Sequence, residues 1–159
     1  LKQIFEACSS QEFQGRMAFI EEYDKHVSHH LVPGVDVWLN NPRPPQEASG
    51  TSGMKVSMNG GLNLSILDGW WPEGFNGTNG WAIGEETSYP TVEAHDLADA
   101  DSLYEVLEKA VIPAYYDRKG NAAPERWCAM MKSAIRSVTP AFHSDRQVID
   151  YVHHLYVPG

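Results

Sequence analysis

Apolar residues recur at Leu1, Ile4, Phe5 and Cys8, so residues 1–9 read as the end of an amphipathic helix. Gly15 breaks the chain. Residues 17–20 form a short apolar run bounded by charge and predict a buried strand. Residues 24–32 read as a helix stopped by Pro33-Gly34. Residues 35–39 are β-branched and apolar, a second strand. It runs into Asn40-Asn41-Pro42-Arg43-Pro44-Pro45, a stiff loop that its prolines keep out of helix. Residues 52–60 predict a short helix and residues 62–67 a third strand. Strands alternating with helices through short turns describe a parallel sheet covered by helices.

Residues 68–89 change character. Gly69, Gly74, Gly77, Gly80 and Gly84 alternate with Trp70, Trp71, Phe75 and Trp81, which reads as a long loop with a strand at 81–83. The final third is helical. Ser102 and Glu105 have capping-box spacing, and Leu103, Val106, Leu107, Ala110, Val111 and Ala114 follow on one face. Pro113 is expected to bend or end that helix. Pro124 suits a first helical position, ahead of Trp127, Met130, Met131, Ala134, Ile135 and Val138. Ser144 and Gln147 make a second capping box, opening a helix with Val148, Tyr151, Val152 and Leu155 on one side. No repeat or linker divides the sequence, so residues 1–159 read as a single domain.

The 159 residues are about one domain's worth of chain, and 42% hydrophobic content supports a packed core. The chain begins with Leu rather than Met, which reads as a piece of something longer. Net charge is −9, from 12 Lys and Arg against 21 Asp and Glu. That argues against nucleic acid and against an anionic membrane surface as partners. Residues 1–10 lack the pattern of a signal peptide, and no stretch is apolar enough to span a bilayer. Cys8 and Cys128 are far apart and read as buried thiols, which fits a reducing cytoplasm.

The chemistry concentrates in Glu47-Ala-Ser-Gly-Thr-Ser-Gly-Met-Lys55. Small hydroxyl residues and glycines sit after a strand and loop and just before a helix. Such a turn aims backbone N–H groups at one point and suits a phosphate. Gly50 and Gly53 let the backbone approach a ligand closely. Lys55 falls in the first helical turn, where the helix dipole prefers acids, so the lysine needs another reason to be there. Schiff-base chemistry with a carbonyl cofactor is one. A capped turn with no ligand has the same pattern. The spacing is neither a Walker loop nor a dinucleotide fingerprint, and no Gly-x-Ser-x-Gly elbow is present. His26, His29 and His30 share a helical face with metal-ligand spacing, but no further ligand motif accompanies them, and no metal is expected.

Residues 44–68 resemble the cofactor-lysine segment of the α-glucan (glycogen, starch, maltodextrin) phosphorylases. The resemblance rests on Glu47–Thr51, Met54-Lys55, Asn59-Gly60 and Asp68-Gly69. Residues 35–42 and 67–74 look like the shorter bacterial and archaeal branch. Similarity covers nearly all of the chain and matches the C-terminal part of a longer enzyme. The resemblance implies the Rossmann-like C-terminal half of a B-type glycosyltransferase fold. It also implies that Lys55 carries pyridoxal 5′-phosphate, that Thr51 and Ser52 hold the cofactor phosphate, and that Tyr23 lies beside the cofactor. Glu47, Ser49 and Gly50 match the groups that grip glucose hydroxyls, Gly50 also being near the substrate phosphate. The animal relatives' arginine after that tyrosine is Asp24 here, and its role is not carried over.

The implied reaction converts α-1,4-glucan plus inorganic phosphate to glucose 1-phosphate and a shorter glucan. The family's phosphate-binding basic residues and its N-terminal domain, with the acceptor-glucan groove, match nothing in this chain, so the chain alone is expected to be inactive. A nucleotide-sugar glycosyltransferase of the same fold, which has no need of Lys55, is the alternative enzyme. A non-catalytic sugar-phosphate or glucan-binding module is the other reading.

Overall fold

The computed structural model describes residues 2–44, 46–47, 49–85 and 89–157. Leu1 of the first helix, Pro45 of the stiff loop, Ala48 of the motif and residues 86–88 of the long loop lie outside them. The chain divides into two compact units, residues 1–31 and 32–159.

In the first unit, helix α1 (Lys2–Ser9) forms where the apolar spacing predicts it. Residues 17–20 are a correction: they are irregular, with Met17, Phe19 and Ile20 exposed by 41–44%. A strand needs a neighbouring edge for its backbone groups, and no strand lies among described residues 2–31. Asp24 Oδ1 accepts a hydrogen bond from the Val27 N–H at 2.9 Å at the start of α2 (Lys25–Gly34). This helix runs through Pro33 and Gly34 instead of stopping before them. The carbonyl that Pro33 leaves unmet belongs to exposed His29.

The second unit takes in the end of α2 from Val32 and continues with β1 (Val37–Asn40), α3 (Ser52–Met58), β2 (Leu62–Ile66), a one-turn α4 (Trp71–Gly74) and β3 (Gly80–Ile83). The strands form a parallel sheet in the order β1-β2-β3, with Leu39 level with Leu64 and Leu64 level with Trp81. All five residues of β2 are buried, as a central parallel strand requires. One of its faces carries Leu62, Leu64 and Ile66, which join Trp81 and Ile83 in the main core. Asn63 and Ser65 alternate with them and are also buried.

Helices α5 (Val92–Val106), α6 (Ile112–Tyr116), α7 (Glu125–Phe142) and α8 (Ser144–Tyr151) make up the helical final third. The whole is an α/β, Rossmann-like arrangement, as the strand–helix alternation predicts. Val111, Ala114, Trp127, Met130 and Ala134 close the main core. Trp70, Trp71 and Val138 form a second cluster with Met54, Met58, Phe75 and Phe142. The loop tryptophans are therefore core residues.

Neither capping box caps a helix. Thr91 Oγ1 accepts from the Ala94 N–H at 3.1 Å, so α5 starts ten residues before Ser102. Residues 92–101 carry no buried side chain, and so no strong apolar stripe announces them. Ser102 Oγ instead accepts from the Gly84 N–H at 2.8 Å, tying α5 to the end of β3. At α8 the cap is His143, whose Nδ1 accepts from the Arg146 N–H at 3.3 Å, one residue before the expected Ser144. Pro113 does not end its helix, because a π-helical turn over Leu107–Val111 leads straight into α6. The wider turn relieves the clash of the proline ring with the preceding turn. Pro124 is the extended residue before α7 rather than its first helical one. Among the described residues no helix is long and apolar enough to cross a membrane.

Candidate functional site

The loop leaving β1 and the helix entering the sheet build the site. Asn40 Nδ2 donates to Ser65 Oγ at 3.3 Å, fixing the end of β1 to β2. A turn follows in which the Gln46 N–H donates to the Arg43 carbonyl at 2.8 Å. Glu47 and Ser49 come next, both exposed, and α3 begins at Ser52.

Gly50 has a negative φ, and a Cβ there would meet Glu47 Oε1 at 3.4 Å, an ordinary contact. Neither backbone strain nor packing among the described residues demands glycine at this position. Gly53 is the opposite case. A Cβ on it would run into Asn63 Oδ1 and stand 3.1 Å from Trp70 Cζ2. Asn63 is 1% exposed, and its Nδ2 donates to the Gly53 carbonyl at 3.0 Å and to Ser57 Oγ at 2.7 Å. A buried polar side chain in the middle strand thereby seats α3 on the sheet. Sequence reading missed Asn63, although its signal is present: a polar residue at a buried position of a parallel strand requires a partner.

Gly53, Val56 and Ser57 form the buried face of α3. Thr51 and Lys55, four apart, share the opposite face, where both are exposed. Helical geometry sets their Cβ positions one turn apart on that face. Thr51 makes no side-chain cap bond. Among the described residues no carboxylate lies within ion-pair distance of Lys55. The far end of β2 closes the group: a Cβ on Gly69 (φ +59°) would stand 2.8 Å from Ser49 Cα. The Asp68-Gly69 turn thus packs against the site loop at the carboxyl ends of the strands, where open parallel sheets take their ligands.

Glu47, Ser49, Gly50, Thr51, Ser52 and Lys55 thus all lie on the loop after β1 and the start of α3. Tyr23 is in the first unit and is 50% exposed. Among the described residues no three His, Cys, Asp or Glu side chains gather as a metal site.

Residues 10–73 match the family model described as carbohydrate phosphorylase. The chain is 53% identical over 156 residues to the glycogen phosphorylase of Aquifex aeolicus, covering 98% of this chain and 22% of that protein. It is 49% identical to the maltodextrin phosphorylase of Thermococcus litoralis over 98% of this chain and 18% of that protein. Identity to the glycogen phosphorylase of Mycobacterium tuberculosis (strain H37Rv) is 41% over all 159 residues, or 18% of that protein. The chain spans about a fifth of the length of these relatives. Identity of this size along the whole chain, joined to the family match around the lysine turn, shows that the chain belongs to the carbohydrate phosphorylase family.

Proposed function

We propose that the chain is the part of an α-1,4-glucan phosphorylase that holds pyridoxal 5′-phosphate and one wall of the glucose site. The observation that carries this reading is the exposed face of α3, which carries both Lys55 and Thr51, the latter with no side-chain cap bond. The names of the relatives support it, since they are glycogen and maltodextrin phosphorylases. The residues fit the cofactor chemically. Lys55 offers an amine with no described ion partner, Thr51 a hydroxyl not used in capping, and Gly50 a small residue whose packing among the described residues does not require glycine.

In this reading the Lys55 amine fixes the cofactor to α3. The Thr51 hydroxyl and the Ser52 N–H donate to its phosphate, and Tyr23 flanks it. When bound, the cofactor supplies a phosphate group that exchanges a proton with the substrate phosphate. The Glu47 carboxylate accepts charge-assisted hydrogen bonds from glucose hydroxyls. Ser49 lines the same sugar, and Gly50 lets the backbone close on the sugar and the substrate phosphate. The substrates are α-1,4-glucan and inorganic phosphate, and the product is glucose 1-phosphate. A cytoplasmic setting agrees with the free thiols of Cys8 and Cys128. Basic groups for the phosphates and a groove for the acceptor glucan come from the rest of the enzyme, so the 159 residues alone do not turn over.

Borohydride reduction after incubation with pyridoxal phosphate tests this. In the full-length enzyme that contains the chain, peptide mapping should find one pyridoxyl phosphate on Lys55, lost in Lys55→Ala. A reduced full-length enzyme unlabelled at Lys55 sinks the reading. The isolated chain with cofactor, glucan and phosphate should form no glucose 1-phosphate, and steady product formation would refute the claim that its site is incomplete.

A further inference from the structure

The site loop between β1 and α3 has few holds. Among the described residues from Asn41 to Thr51, Arg43 alone uses its side chain in a hydrogen bond. Its guanidinium meets the carboxylate of Asp96 on α5 as a fork: Nε donates to Oδ1 at 2.9 Å and Nη2 donates to Oδ2. Its own carbonyl accepts the Gln46 N–H, closing the turn that delivers Glu47. The pair lines a cavity of about 390 Å³ together with Ile66 and Ile83 at the ends of β2 and β3 and Leu103 of α5. Lys55 is held differently, through Asn63 under α3.

We propose that Arg43, gripped by Asp96, is a positioning residue for the sugar-binding half of the site, fixing Glu47, Ser49 and Gly50 while the cofactor lysine is fixed by the sheet. The roles of those residues rest on the function proposed above; the clamp itself does not. A bidentate arginine–carboxylate pair sets direction as well as distance, which a lysine at the same place does not. Both side chains are about half exposed (49% and 45%), so the pair is modest in strength and open to screening by salt. It matters because nothing else of the described loop is hydrogen-bonded to another element through a side chain.

Exchange of the Gln46 amide with solvent, followed by NMR on the 159-residue chain, reads the clamp directly. Arg43→Gln and Asp96→Asn should each speed it about two- to fivefold at low salt, the scale of a single exposed pair. The double variant should be no faster than either single one, and molar salt should bring the unsubstituted chain to the same rate. An unchanged rate in either single variant, or additive effects in the double, overturns the proposal. In the full-length enzyme Arg43→Gln should raise KM for glucose 1-phosphate several-fold while labelling of Lys55 stays complete. Parallel loss of label and sugar affinity counts against two separate holds. If Lys55 proves unlabelled in the unsubstituted enzyme, the function falls and the exchange result still decides the clamp.

Discussion

Asn63 and Gly53 behave as one unit. Gly53→Ala forces a methyl against Asn63 Oδ1 and the Trp70 ring, and should cost about 1–3 kcal/mol, read as a lower denaturant midpoint. Asn63→Ala relieves that clash but strips the Gly53 carbonyl and Ser57 of their donor, at a similar cost of about 1–3 kcal/mol. If Gly53→Ala is neutral alone yet damaging with Asn63→Ala, the packing account fails. The glycine was legible in the sequence as part of a tight turn, but its reason was not, because the residue that forbids a side chain lies ten positions away in a strand. Asp99 is a second residue-scale case. Burial raises its carboxyl above the ordinary 3.8, His95 at 3.3 Å opposes this, and Asp96 adds to it. A raised folded-state value favours folding at acid pH, and that contribution is lost as pH rises through the folded value. A carbon-detected titration should therefore place Asp99 above 3.8. His95→Gln should move it higher and Asp96→Asn lower, and a midpoint at or below 3.8 contradicts the burial argument.

Between the strands and helices, side-chain chemistry decides ends that periodicity leaves open. Thr91→Ala removes the true cap of α5 and should cost about 1 kcal/mol with loss of helicity over its first turn. Ser102→Ala should leave that helicity intact and instead speed exchange of the Gly84 amide, because its hydroxyl holds β3 to α5. A loss of first-turn helicity in Ser102→Ala would restore the capping-box reading. β2 and α3 were legible because burial on both faces and a glycine-bounded turn leave strong marks in sequence. The run at residues 17–20 was misleading for the converse reason: an apolar stretch records a preference for burial, and a strand forms only beside another strand.

Across the molecule the two units differ in how much they bury. No described residue from 2 to 31 is buried, and Phe5, Phe13 and Phe19 are 41–58% exposed. The second unit holds both buried clusters. Limited proteolysis should therefore cut within residues 10–24 first and leave a resistant piece containing β1 through α7. Equal resistance of both units would show that the first gains protection that its own burial does not supply. The Glu47–Lys55 turn was readable because it is a contiguous segment. Its supports, Asn63 of β2, Gly69 of the turn after it and Asp96 of α5, lie elsewhere in the chain, and no local pattern announces contacts made across a fold. The sheet carries one more consequence, for behaviour in solution. Among the described residues β1 and β3 each meet a strand on one side only, and Leu39 on β1 is 47% exposed. Such a rim invites strand-to-strand stacking between copies. The net charge of −9 holds copies apart only while counterions are scarce. Light scattering from the isolated chain should thus climb with ionic strength, and Leu39→Lys should flatten the climb.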